Sequence, residues 1–236
     1  MNFQLLILCG GKGERLKPLT DNIPKPLVKI KDNTILGHII NHLSFYNIKD
    51  IIVATGYKSE KIKEYIKNNH SDLNLKIVDS GDVDIIQRIK DSVPYIKDDI
   101  ILLYGDTLSD VNIDDLVRFH HKQPGKATIT VWPLHSEFGV LEVDDSGMIS
   151  SYQEKPVLDK WINIGYFYLE HEVLQWLDNF FSFEKYIEHL IEIKELNGYK
   201  HIGGHITVNN LKEHKNAEEN IEKIYNKWKI ARCHNG

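Results

Sequence analysis

Nearly continuous apolar runs separated by helical patterns constrain this chain more than any other feature. "FQLLILC", "DIIVAT", "LKIVD" and "DIILLYGD" are rich in Ile, Leu and Val, and helices are expected between them near 34–47, 58–69 and 83–93. Strand and helix in alternation form a parallel sheet. Strands with little polar alternation fit a sheet covered on both faces, and right-handed crossovers then bring the loops that follow the strands to one common edge. In open α/β sheets ligands bind at that edge.

After a helix expected near 113–122 the texture changes. "KATITVWPL", "FGVLEVDDSGMISSYQEKP" and "INIGYFYLE" read as strands joined by turn residues, followed by helices near 171–178 and 183–195 and a last strand near 199–207. "LKEHKNAEENIEKIYNKWK" then closes the chain as an amphipathic helix with Leu211, Ala217, Ile221 and Ile224 toward the core. The expected fold is α/β: a Rossmann-like, doubly wound, mixed but mostly parallel sheet with helices on both faces.

Length and charge narrow the function. The 236 residues suit one large α/β domain with a sizeable core. The net charge is −5 with Lys and Arg dispersed, so the basic face that duplex binding requires is missing and polymeric nucleic acid is not an expected partner. No stretch reaches the ~18 apolar residues of a membrane helix. The N-terminus lacks a basic leader and a cleavage site, so it reads as a first strand and the expected compartment is the cytoplasm. Cys9 and Cys233 give neither metal-ligand spacing nor a disulfide framework and are expected to be reduced thiols. Of the twelve histidines, His120–His121 and the pair at 201 and 205 lack diagnostic metal spacing and are read as surface or packing residues.

The loop "CGGKGERLKPLT" follows the first strand. Gly10, Gly11 and Gly13 can take backbone conformations that aim several N–H groups at one anion, and Lys12, Arg15, Lys17 and Lys25 make the neighbourhood cationic. It is not the common P-loop, because Arg15, Leu16 and Lys17 stand where Gly-Lys-[Ser/Thr] is required. It also fails G-x-G-x-x-G, with Leu16 at the third glycine. The bland alternative is a turn with solvated cations. Lys25 argues against it: flanked by Pro24 and Pro26, its backbone is expected to be held extended and stiff, which suits a cation that must meet a charged transition state.

"GGKGERLKPLTDNIPKPLVKI" resembles the signature loop of the sugar-phosphate nucleotidyltransferases, G-G-x-G-x-R-L-x-P-x-T followed by P-K-P. "YGD" at 104–106, "FGVLEVDDSGMISSYQEKP" at 138–156, "NIGYFYL" at 163–169 and "SFEKYIEHLIE" at 182–192 follow in family order, so the resemblance spans nearly the whole chain. "VDSGD", "RIK" and "LLYGDTLSDVNIDDLVRFH" look most like the cytidylyltransferase branch, of glucose-1-phosphate cytidylyltransferase type.

The resemblance implies a fold of nucleotide-diphospho-sugar transferase type. It divides a single domain 1–230 into a nucleotide-binding half, 1–110, an acceptor-binding half, 111–208, and a C-terminal helix, 209–230, with a tail at 231–236. It implies Mg²⁺-dependent transfer from CTP to a small phosphorylated acceptor with release of pyrophosphate, in the making of surface-polysaccharide (capsule or lipopolysaccharide) precursors. Leu8, Gly10, Gly11, Gly13, Arg88 and Gly105 would line the nucleotide, Arg15 would neutralise its β- and γ-phosphates, and Lys25 would bridge the reacting phosphates. Asp106 would hold Mg²⁺, its plain alternative being a helix cap. Gly139, Glu154, Lys155 and Asn163 would line the acceptor pocket. A homo-oligomer is compatible with the family.

Two departures stand out. Ile85, Ile86 and Gln87 replace a Thr-Gly-Gly segment that contacts the nucleotide in the cytidylyltransferases, and the late metal-binding Asp falls on Asn209, or on Asn210 if the alignment slips by one. An amide oxygen can ligate Mg²⁺ but brings no charge. These changes widen the expected acceptors from a sugar 1-phosphate to a non-sugar phosphate such as glutamine phosphate. The alternative is a non-catalytic module that senses nucleotides or sugar phosphates on the same fold.

Overall fold

The four apolar runs of the first half pair as parallel strands. In the computed structural model, which describes residues 3–46, 48 and 50–233, they are β1 (Phe3–Cys9), β4 (Asp50–Thr55), β5 (Asn74–Asp79) and β6 (Asp99–Tyr104). A short ribbon of β2 (Lys29–Ile30) and β3 (Asn33–Thr34) lies between the first two. The second half supplies β7 (Thr107–Ser109), β8 (Ala127–His135), β9 (Val140–Val143), β10 (Ile149–Gln153), β11 (Val157–Leu169), β12 (Leu196–Lys200) and β13 (His205–Thr207). Seven strands make the main sheet in the order β12-β8-β11-β6-β1-β4-β5. Only β11 runs against its neighbours, so the sheet is mixed and mostly parallel as expected.

Helices cover both faces because alternate strand residues point to opposite sides. Leu5 and Ile7 of β1 pack with α1 (Ile35–Leu43), α2 (Ser59–Asn69), α4 (Ile113–His120) and α7 (Leu211–Cys233), whereas Leu6 packs with α3 (Ile85–Ser92), α5 (His171–Leu174) and α6 (Phe183–Glu192). Each fully buried aliphatic side chain contributes about 1.5–3 kcal/mol, which explains why β1, flanked by β4 and β6, carries no charge. Helix starts are set by polar caps: Thr34, Asp84, Asn112 and Ser182 accept from the backbone N–H three residues on. No helix among the described residues is long and apolar enough to cross a membrane.

Three expectations need correction. The segment 199–207 is not one strand: β12 ends at Lys200, Gly203 and Gly204 turn the chain, and β13 leaves the main sheet to pair antiparallel with β7. The last helix begins at Leu211 and continues through Cys233, past the expected end at 230. Residues 234–236 of the expected tail, and the Cys233 side chain, lie outside the described residues. Ala217, Ile221 and Ile224 are buried as expected, but Leu211, in the first turn, is 47% exposed.

Buried histidines make the fold acid-sensitive. Burial lowers His42 to about 3 and His120 and His205 to about 4, from the ordinary 6.5. His120 spends its ring nitrogens on Thr128 and Glu170. A histidine whose folded pKa is depressed binds fewer protons folded than unfolded, so its contribution is complete above pH 6.5 and is lost as pH falls toward 4. Chemical denaturation at stepped pH should show stability declining across that window, with a shallower decline in His120→Gln; a flat profile contradicts the assignment.

Candidate active site

Strand order reverses between β1 and β6, and a cleft of about 290 Å³ opens at their carboxyl ends. Connections from adjacent strands leave on opposite faces there, which keeps the edge uncovered. Leu8, Gly10, Gly11, Lys25, Arg88 and Gly105 line it together with Asp106, so six of the residues assigned to the nucleotide and the carboxylate assigned to the metal face one space.

The glycines serve different ends. Gly105 N–H donates to the Leu8 carbonyl at 3.0 Å, and a Cβ on Gly105 would lie 2.5 Å from that oxygen, so the strand ends meet only without a side chain. A Cβ on Gly10 would sit 2.0 Å from the Arg88 guanidinium carbon, whereas one on Gly11 would meet nothing within 4 Å. Gly11 is therefore the backbone left open to a ligand. Gly13, at φ 69°, occupies left-handed space and turns the chain into a 3₁₀ turn, Glu14–Leu16.

Arg15 stands on that turn, exposed and outside the cleft's lining, because Leu16 beside it is the residue driven into the core. The expected cationic cluster is also largely neutralised. Lys12 pairs with Asp82 at 2.6 Å, Lys17 with Glu14 at 3.5 Å and Lys25 with Asp106.

Lys25 is stiff, though not extended. Pro24 is extended (φ −71°, ψ 153°), and Lys25–Leu27 form a 3₁₀ turn in which Leu27 N–H donates to the Pro24 carbonyl at 2.9 Å. The turn is favoured over the extended form because it satisfies the N–H groups of Leu27 and Val28. Its side chain is buried, and Nζ donates to Asp106 Oδ2 at 2.6 Å and Asn209 Oδ1 at 2.8 Å.

Asp106 comes from the end of β6 and Asn209 from the end of β13; the β7–β13 ladder brings them together across 103 positions of sequence. Asp106 is not a helix cap, since Asn112 caps α4. Asn210 is a cap: it receives Glu213 N–H at 2.9 Å while Glu213 accepts from the Asn210 amide at 2.6 Å and from Asn209 N–H at 2.8 Å. Asn209, not Asn210, thus faces Lys25.

A carboxylate oxygen and an amide oxygen already share one cation, the Lys25 ammonium, and both are hard donors of the type that oxygen-seeking divalent ions take. The pair fits a divalent metal that draws its other ligands from phosphates and water. Among the described residues no group of three or more His, Cys, Asp or Glu forms a closed metal site.

Arg88 is buried, and its terminal nitrogens donate to the carbonyls of Thr55, Gly81 and Val83. It pins the β5–α3 loop to the end of β4 and lines the cleft from below that loop. Of the three replaced positions, only Ile85 turns its side chain to the cleft; Ile86 is core, and Gln87 bonds Asp91 on the outer face of α3. The i, i+3 spacing of Ile86 and Ile89 announces that division. Burial raises Cys9, with Asp106 adding to the effect, so this thiol is an inert core residue.

Gly139, Glu154, Lys155 and Asn163 lie outside the lining of this cleft. Glu154 and Lys155 are exposed beside the β9–β10 hairpin, where Tyr152 donates to Glu154 and a Cβ on Gly139 would strike the Tyr152 ring at 2.6 Å. Asn163, on β11, accepts from Gly165 N–H at 2.7 Å and bonds the Tyr104 hydroxyl. Tyr104 was not singled out from the sequence, yet it lines the cleft and ties it to Asn163, with its hydroxyl pushed up to about 12 by burial. Its place at the end of the β6 run, two residues before Asp106, is the signal that could have found it.

A family model described as nucleotidyl transferase matches residues 4–227. The chain is 34% identical to the probable glucose-1-phosphate cytidylyltransferase of Bacillus subtilis, over 95% of this chain and 98% of that protein. It is 36% identical to the glucose-1-phosphate cytidylyltransferase of Salmonella typhi, over 74% and 77%. Identity to the D-glycero-alpha-D-manno-heptose 1-phosphate guanylyltransferase of Campylobacter jejuni is 30%, over 78% and 85%. In fold it is similar to a putative glucose-1-phosphate thymidylyltransferase from Bacillus anthracis, solved in complex with a sucrose, with TM-score 0.75 at 17% identity over 92% of this chain and 94% of that one.

Proposed function

The chain belongs to the nucleotidyl transferase family, with sugar-phosphate nucleotidyltransferases among its relatives, and on that premise we propose that it is a Mg²⁺-dependent cytidylyltransferase. It joins CTP to a small phosphorylated acceptor, a sugar 1-phosphate or a non-sugar phosphate such as glutamine phosphate, in the making of surface-polysaccharide precursors. One observation carries the reading: at the ligand edge of the sheet, Lys25 is held between a strand-end carboxylate and a distant amide oxygen. The lean to CTP rests on the similarity to two proteins named as cytidylyltransferases.

The reaction forms one bond and breaks one. An acceptor phosphate oxygen attacks the α-phosphorus of the triphosphate in line, the α–β bridging bond breaks, and its electron pair leaves with pyrophosphate. Negative charge gathers at the α-phosphate, so the work of the protein is positioning and neutralisation. Lys25 supplies a point charge from a braced turn, and Gly11 supplies open backbone to the phosphates. Asp106 and Asn209 would hold Mg²⁺, which supplies further charge neutralisation when bound. Triphosphate oxygens arriving in the cleft would take Lys25 over from Asp106, which frees the carboxylate. Arg15, exposed on the turn after Gly13, would reach the leaving phosphates only as they extend out of the cleft.

Pyrophosphate release should be measured for four nucleoside triphosphates against glucose 1-phosphate, other sugar 1-phosphates and glutamine phosphate, with Mg²⁺. CTP should give the fastest turnover with one of these acceptors. A better rate with another triphosphate refutes the donor, and no pyrophosphate from any pair leaves the sensing alternative. Asn209→Asp adds the missing charge. The Mg²⁺ concentration for half-maximal rate should then fall on the order of tenfold, since ligand charge tunes oxygen sites. An unchanged Mg²⁺ titration removes Asn209 from the site.

A further inference from the structure

We propose that His201 and Asp110 are positioning residues that act on the reacting centre through the β7–β13 ladder. This rests on the reading of Lys25, Asp106 and Asn209 as that centre. The ladder has three rungs, Thr107 with Thr207, Leu108 with Ile206 and Ser109 with His205. At one end stand Asp106 and Asn209, joined through Lys25, with Val208 N–H donating to the Asp106 carbonyl at 3.2 Å. At the other end stands Asp110, whose side chain is 5% exposed.

Asp110 Oδ1 accepts from His201 at 2.8 Å and from Gly204 N–H at 2.6 Å, while Asp110 N–H and the Ser109 hydroxyl both donate to the Gly204 carbonyl. Gly203 has no room for a side chain, because a Cβ would lie 2.2 Å from Asp110 Oδ1 and 2.5 Å from the His201 ring. His201 is itself fixed by its N–H to the Val131 carbonyl at 2.9 Å, on β8 of the main sheet. The clamp therefore ties β13 at once to the residue that follows β7 and to the large sheet.

Such a device is needed here. A two-stranded ladder of three residues is marginal by itself, and a slip of one residue moves a side chain about 3.3 Å and turns it to the opposite face. Asn209 follows β13 by two residues, so its oxygen meets Lys25 only in the observed register. Neither His201 nor Asp110 lines the cleft, so the pair acts through the register of the ladder.

The test compares full-length wild type, His201→Ala and His201→Gln, the last placing an amide nitrogen near the position of the imidazole donor. Steady-state kinetics and amide hydrogen exchange over 205–210 are both read. In His201→Ala, kcat should fall about tenfold to a hundredfold, the cost of misplacing a reacting group by an ångström or so, with KM for the triphosphate unchanged within about twofold. Exchange over 205–210 should quicken, and His201→Gln should recover most of both. The inference is overturned if kcat of His201→Ala matches wild type, if KM rises in step with the fall in kcat, or if exchange over 205–210 is unaltered. Should wild type itself release no pyrophosphate with any triphosphate, the functional reading fails separately. Exchange in His201→Ala then decides the clamp, faster exchange sustaining it and unchanged exchange refuting it.

Discussion

Lys25→Met should lower turnover by about 10³-fold while the protein remains folded, the scale set by removing one preorganised charge or donor from a phosphoryl or oxyanion transition state. That factor is about 4 kcal/mol of transition-state stabilisation. The loss should fall on kcat, because the charge Lys25 neutralises is greatest when the α-phosphorus is shared by entering and leaving oxygens. Stability changes little: Met keeps the buried stem, and Asp106, with about a third of its side chain exposed, is rehydrated once the ammonium is gone. Lys25→Arg should not rescue. Lys25 Nζ is a point charge set between Asp106 Oδ2 at 2.6 Å and Asn209 Oδ1 at 2.8 Å, and a longer, planar guanidinium fork cannot put its charge at that one position. Kinetics of the three proteins beside their thermal melts provide the check, and a loss below tenfold in Lys25→Met would remove this residue from the chemistry.

Asp106→Asn has the second largest expected effect, on the order of 10²-fold to 10³-fold in kcat. In this chain the change is more severe than one carboxylate among several, because Asn209 already contributes an uncharged oxygen. Asp106→Asn leaves the pair with two amides and no negative charge, so half-saturation should require far more Mg²⁺ as well. The double variant Asp106→Asn with Asn209→Asp restores the total charge on the opposite side of Lys25, and it should regain at least part of the loss in Mg²⁺ affinity. A Mg²⁺ titration of the three proteins decides it. If the single variant titrates like wild type, Asp106 does not hold the metal.

The two predictions differ in what sequence alone could support. The apolar run that ends in Tyr104-Gly105-Asp106 places a carboxylate at a strand end, and the glycines after Cys9 place open backbone beside it. Both follow from local pattern, and both hold. The same reasoning gives helices on both faces, since α1, α2 and α3 occupy the expected segments, α1 and α3 with polar caps at their starts. Arg15 shows where local pattern stops. Its neighbour Leu16 wins the core, which turns the arginine outward, and no periodicity within a three-residue turn announces that outcome. Arg88 shows a second limit: an arginine beside a nucleotide loop suggests a phosphate contact, but its terminal nitrogens go to three carbonyls that only the folded chain brings within reach. The segment 199–207 shows a third, because two adjacent glycines allowed a break that the apolar pattern did not require.

Hydrophobic periodicity and turn chemistry act over a few residues, so the sequence by itself determined the four parallel strands of the first half, most of the helices, and that Gly11 and Asp106 follow strands whose ends share one edge. Tertiary structure alone decided that Asn209 and not Asn210 meets Lys25, that Tyr104 joins the cleft to Asn163, and that His201 and Asp110 clamp the short ladder behind Asp106 and Asn209. The physical reason is distance along the chain. These contacts join residues tens of positions or more apart, and their geometry depends on strand register and crossing loops, quantities to which no local propensity responds.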